Sequence, residues 1–186
     1  MVVTCLQLNL DVIRTPERER TMTEDEFWRL IDQSRVGCDP QRRDGNMGRQ
    51  VADLRALLSK LSAEDVHEFS KVLSDVFDRT YSWDLWGAAH VIASGCSDDW
   101  FDYFRYWLIS MGRHVYENAL VDPESLATAA GRPDVEDIFF EEFGYVADMV
   151  LEERGAPRGT SVTPSVAAEP SGQPWTQADL PERFPW

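Results

Sequence analysis

The stretch 81–112, YSWDLWGAAHVIASGCSDDWFDYFRYWLISMG, most constrains what this chain can fold into. It concentrates four of the seven tryptophans (Trp83, Trp86, Trp100, Trp107) in about thirty residues. From Trp83 to Ser94 the only polar side chains are Asp84, His90 and Ser94. A helix apolar nearly all round belongs inside a domain, and twelve residues fall short of the roughly 20 that span a bilayer. Ser82 is placed to cap it, and Gly95 to close it in the left-handed conformation.

Ser97 or Asp98 caps a second helix, 98–111. There Trp100, Phe104, Trp107, Leu108 and Met111 repeat at helical spacing and are expected to face the core. Asp98, Asp102 and Arg105 share another face within ion-pair reach. The stretch therefore predicts a helical hairpin with an aromatic core and a carboxylate-rich corner at 95–102.

This run, WDLWGAAHVIASGCSDDWFDYFRYWLISMGR, resembles the signature of a domain-of-unknown-function family numbered 4240, bacterial and common in actinomycetes. Two positions depart from its usual form: His90 stands where Tyr is expected, and Ala93–Ser94 where small residues, often Gly, occur. The resemblance spans about 22–153, and the DLPERFP near the chain end resembles a tail motif of the same family. The family carries no established activity, so the resemblance implies a boundary and no mechanism.

Outside the hairpin the reading is all-α: a single compact domain of six to seven helices, 22–154. Thr23 and Glu26 form a capping box for a helix over 24–35, with Phe27, Trp28, Leu30 and Ile31 inward. Because Met22 immediately precedes that box, residues 1–21 are expected to be an extension outside the domain, either a short strand-like segment or, the favoured reading, upstream sequence from a misassigned start. Glycine, proline and asparagine make 37–48 a loop. A helix over 49–60 buries Val51, Leu54 and Leu58. Ser62 and Asp65 make a weaker box for 63–80, where Val66, Phe69, Val72, Leu73, Val76 and Phe77 form a stripe. A short helix over 113–121 stops at Asp122-Pro123, and 123–130 makes another turn or two. Asp134 is expected to cap one long last helix, 135–154, with Ile138, Phe139, Phe143, Val146, Met149 and Val150 inward.

From Gly155 the composition turns to Pro, Ser, Thr, Ala and Gly and reads as a flexible linker. It ends in PWTQADLPERFPW, whose Trp175, Leu180, Phe184 and Trp186 are too many large apolar groups for a solvated tail. Docking onto the domain is expected for 174–186, with an exposed partner-binding peptide as the rival reading.

A net charge of −15 argues against nucleic acid and anionic membranes as partners, since phosphate recognition needs clustered Lys and Arg. The charge is uneven: residues 98–153 hold fourteen acidic side chains against Arg105, Arg113 and Arg132. Such a surface serves solubility or a basic partner. The three cysteines, at 5, 38 and 96, show no spacing for a disulfide framework or a zinc site. Without a leader or an apolar span, the expected location is cytoplasmic.

Ligand-type chemistry concentrates in one place. Trp83, Asp84, Trp86, His90, Cys96, Asp98, Asp99, Asp102 and Arg105 are the candidate binding residues. Imidazole, thiolate and carboxylates are metal-ligand types, yet no second histidine stands at ligand spacing. Aspartates in a first helical turn also complement the helix dipole. Asp84, if buried, would need a partner or a raised pKa. A Cys96–His90 dyad has no oxyanion feature beside it. His67 and His114 read as exposed, and the tryptophans as core before aromatic box. No metal and no cofactor are expected. The expectation is a non-enzymatic binding or regulatory module, acting through the corner on a protein partner or small ligand. The alternative is a small hydrolase using Asp84, Asp98, Asp99 and Asp102 with His90.

Overall fold

The computed structural model describes residues 21–157 and 169–185. The expectations for 1–20 and Trp186 lie outside the described residues, as does most of the linker. Ten helices follow in order: α1 Glu24–Arg35, α2 Asn46–Leu58, α3 Ala63–Arg79, α4 Trp83–Ile92, α5 Asp98–Ser110, α6 Arg113–Val121, α7 Ser125–Ala130, α8 Glu141–Gly144, α9 Val146–Glu153 and α10 Leu180–Arg183. The described residues form no strand, only an isolated parallel bridge between Ser82 and Ser171. The domain is all-α, with a tryptophan-rich hairpin at its centre.

Helix α1 begins where its capping box lies. The Thr23 hydroxyl accepts from the Glu26 N–H at 3.2 Å, and the Glu26 carboxylate accepts from the Thr23 N–H at 3.0 Å. Phe27, Trp28 and Ile31 are buried. The Ser62 hydroxyl caps α3 by accepting from the Asp65 N–H at 3.0 Å. Helix α5 is the axis of the fold and packs against α3, α4, α6 and α8. Its buried face carries Phe101, Phe104, Arg105, Trp107 and Leu108.

Of the residues expected inward, Phe104, Trp107, Leu108 and Met111 are buried, whereas Trp100, in the first turn of α5, is half exposed. Phe101 and Arg105 are buried as well, so the inward surface of α5 is wider than the expected stripe. The helix break after α4 also differs. Ser94, at φ 58°, is the left-handed residue, and Gly95 follows at φ 137°.

Helix α2 starts three residues before expected, at Asn46, inside the expected loop. The Glu136 carboxylate accepts from the N–H groups of Gly45 and Met47, each at 3.1 Å. This cap comes from about 90 residues away, so no local signal announces it. The single helix over 135–154 is not formed, and Asp134 caps nothing. Instead the Asp137 carboxylate accepts from its neighbours' N–H groups, Ile138 at 2.6 Å and Phe139 at 3.2 Å. Such local bonds compete with the helical ladder. The Phe140 N–H donates to the Tyr103 carbonyl on α5 at 3.0 Å. Only then do α8 and α9 form, separated by Tyr145. Gly144 is required there, because a Cβ would stand 2.5 Å from the Tyr106 ring. Of the residues expected inward, Phe143, Val146 and Val150 are buried, whereas Ile138, Phe139 and Met149 are half-buried.

Candidate functional site

Seven of the nine candidate residues divide into three groups with different duties, and Asp98 and Asp99 stand apart from them. Arg105 and Asp102 form the first. Arg105 is 1% exposed. Its Nε donates to the Thr80 hydroxyl at 3.0 Å, Nη2 to the Phe77 carbonyl at 2.9 Å and Nη1 to Asp102 at 2.7 Å. The guanidinium carbon lies 3.5 Å from the Phe77 ring centroid. It thus ties the C-terminal end of α3, where carbonyls lack helical partners, to α5. Burial pushes the Asp102 carboxyl above its ordinary range, with Arg105 offsetting only part of that. The pair holds the domain together.

His90 and Cys96 form the second group and build the turn itself. His90 Nδ1 accepts from the Cys96 N–H at 3.2 Å, and its carbonyl accepts from the Gly95 N–H at 2.8 Å. The Nδ1 lone pair, engaged by the Cys96 N–H, is not free to activate the Cys96 thiol. The Cys96 Sγ donates to the Ser97 carbonyl at 3.6 Å. Burial pushes its thiol up to about 12, so no thiolate forms near neutral pH. Since an unfolded cysteine titrates at about 8.5, the raised value adds stability below that pH. The contribution fades as pH climbs from there toward the folded value. Iodoacetamide at about pH 8 should leave native Cys96 unmodified and alkylate it once urea unfolds the chain, as read by peptide mass spectrometry.

Asp98 and Asp99 are exposed in the first turn of α5. The cap is Ser97, whose hydroxyl accepts from the Trp100 N–H at 3.4 Å. Ser97→Ala should therefore cost about 1 kcal/mol, and Asp99→Asn should be near neutral in melting temperature. Among the described residues, no group of three or more His, Cys, Asp or Glu could hold a metal ion. The carboxylates of the corner do not converge.

Trp83, Asp84 and Trp86 form the third group, and they face residues 169–185. Trp83 and Trp86 stack at 5.4 Å with an interplanar angle of 10°, and Trp86 stacks on Phe101 at 5.2 Å and 4°. The Trp86 indole N–H donates to the Cys96 carbonyl at 3.0 Å and braces the corner. Trp175 of the tail stands edge-on to this stack, 5.9 Å from Trp83 and 6.2 Å from Trp86, and 5.2 Å from the His90 ring. Its indole N–H donates to the Trp83 carbonyl at 2.7 Å. Asp84 is half-exposed, and its carboxylate pairs with Arg183. Asp84 stands in the first turn of α4 and is not fully buried, so the burial that would have raised its pKa or required an internal partner is not met.

The tail is held along its length. The Ser171 N–H donates to the Tyr81 carbonyl and the Trp83 N–H to the Ser171 carbonyl, both at 2.9 Å. Leu180 and Phe184 are buried. The notch is Gly87, where a Cβ would lie 2.7 Å from the Phe184 ring and 3.0 Å from the Trp175 indole nitrogen. Glu169 to Gln173, read from composition as linker, belong to this seat. Gly87, Arg183 and Ser171 were missed by sequence reasoning. Gly87 in a helix interior, where glycine costs about 1 kcal/mol relative to alanine, is the one signal that could have marked the groove.

The chain belongs to the family described as "Protein of unknown function (DUF4240)", whose sequence model matches residues 22–153. No curated protein matches the chain, and no solved structure does. The matched span contains the α4 groove and ends before the tail that fills it. No helix among the described residues is long and apolar enough to cross a membrane.

Proposed function

We propose that the protein is a non-enzymatic binding module whose working surface is the α4 side of the α4/α5 corner, a groove for an aromatic peptide. The carrying observation is the seat of residues 169–185: an indole against two stacked tryptophans, a phenyl ring in the Gly87 notch, an arginine on Asp84. These are the elements of peptide recognition, buried aromatic anchors with one charged pair. The chain carries its own ligand, attached through a stretch of about a dozen residues. Regulation then follows from competition. A segment presenting Trp, then Leu five, Arg eight and Phe nine residues later matches the tail and would replace it.

A tethered ligand reaches an effective concentration of about 1 mM through a short flexible linker. If the peptide alone binds at about 10 μM, the tethered tail weakens an outside copy about 100-fold. The test uses the full chain and a labelled peptide of residues 169–185. Full-length Trp175→Ala/Phe184→Ala should bind the peptide, and wild type should bind it far more weakly. Adding Gly87→Ala to the opened variant should abolish binding. Failure of a folded, opened variant to bind would end this reading.

A further inference from the structure

A second surface lies away from the groove, where α5 meets α8. Trp100 and Tyr145 are 50% and 49% exposed. Trp100 stands edge-on to Phe139 at 4.4 Å and 82°, and 6.3 Å from Tyr103. Phe139 and Tyr103 are half-buried, and the Phe140 N–H bond to the Tyr103 carbonyl fixes the two segments side by side. Four aromatic side chains thus line one face, and Trp100 presents half its surface to water.

The charge around this face is of one sign. Asp99 precedes Trp100, and Glu141 and Glu142 open α8. Glu141 hydrogen-bonds the Tyr103 phenol; desolvation first, then that bond and the charges of Glu141 and Asp99, hold the hydroxyl above its ordinary range. Among the described residues, Asp99, Glu141 and Glu142 pair with no lysine or arginine. Nor is a cation to spare nearby in sequence. Of the three arginines in 98–153, Arg105 is buried on Asp102, Arg113 is held by Asp25 and Glu117, and Arg132 is held by Asp134. Simple solubility accounts for exposed carboxylates but not for an indole half exposed among them.

We infer that the Trp100–Tyr103–Phe139–Tyr145 face, rimmed by Asp99, Glu141 and Glu142, docks an arginine-bearing segment of a partner protein. Guanidinium is the cation that fits: it stacks on an aromatic face and pairs with a carboxylate in its own plane. The unneutralised rim supplies the attraction that steers such a segment in. This docking is independent of the α4 groove: among the described residues, the ring contacts and bonds of Ser171, Trp175 and Arg183 to the domain go to Tyr81, Trp83, Asp84, Trp86 and His90, not to this face.

The probe is a labelled twelve-residue peptide with four arginines spaced by glycine and serine, followed by fluorescence anisotropy with full-length protein at physiological salt. Wild type should bind, and Trp100→Ala should weaken binding at least tenfold while remaining folded at the assay temperature, as its circular dichroism would show. Glu141→Gln/Glu142→Gln should weaken binding and flatten its salt dependence. Trp175→Ala/Phe184→Ala should leave it unchanged, which separates this face from the groove. Absence of binding by wild type would overturn the inference. So would equal binding by Trp100→Ala, which would reduce the effect to net charge.

Discussion

Replacing Arg105 by methionine should remove about 3–5 kcal/mol of stability, the range for breaking a buried, fully hydrogen-bonded charge. At about 2–4 °C per kcal/mol for a chain of this size, the melting temperature should fall by about 6–20 °C. Three bonds are lost at once, to the Thr80 hydroxyl, the Asp102 carboxylate and the Phe77 carbonyl, of which only the last keeps other donors, the Thr80 N–H and hydroxyl. Methionine fills part of the volume and supplies none of these bonds. Lysine should fare little better, since one ammonium cannot reproduce the planar fork that meets α3 and Asp102 together. Asp102→Asn should cost much less, because Asp102 is partly exposed and asparagine can still accept from Nη1. A melting-temperature loss for Arg105→Met equal to that for Asp102→Asn would show that the α3 contacts carry no weight.

Asp134→Asn should be the next most damaging single change, costing about 2–4 kcal/mol. Asp134 is nearly buried and bridges Arg35 at 3.0 Å and Arg132 through two further bonds at 3.0 Å. Arg35 in turn donates to the Ser110 carbonyl at 3.1 Å. The bridge joins α1, the end of α5 and the segment before α8, so neutralising it leaves two guanidinium groups facing one amide. Chemical denaturation should show a lowered midpoint with an unchanged slope, the signature of lost stability without altered compactness. An effect below about 0.5 kcal/mol, usual for a surface position, would contradict the bridge.

These two residues also mark what the sequence could and could not disclose. Thr23, Ser62, Ser82 and Ser97 cap helices through partners three residues away, so their starts were legible from spacing. The apolar stripes of α1 and α3 were legible for the same reason. Asp134 has the residue type and position of a helix cap, yet a guanidinium 99 residues earlier claims its carboxylate. Glu136 caps α2 from a comparable distance. Neither pairing has a local pattern, and together with the Asp137 turn they replace one expected helix by coil, α8 and α9. Arg105 misled in a related way. Spacing put it beside Asp102 on a face away from the aromatic stripe, and that ion pair forms, but three acceptors and the Phe77 ring draw the guanidinium into the core.

The candidate corner was located by composition, but its wiring was not. Aromatic density pointed to Trp83 and Trp86. The grouping of His90, Cys96 and the aspartates as one cluster dissolved, because each has a separate bond or faces solvent. Asp84 finds its partner in Arg183, near the chain's far end. What composition left unmarked was the concavity at Gly87, since a groove is a property of packed helices and of a side chain that is missing.

Residues 169–185 lie in that groove, and the Trp175 indole reports on their seating directly. Its N–H should exchange slowly with solvent in the wild-type chain, held by the Trp83 carbonyl at 2.7 Å. In Gly87→Ala it should exchange as fast as a free indole, while core amides of α3 and α5 stay as protected as before. A Trp175 indole that exchanges at the free rate in the wild-type chain would contradict the account.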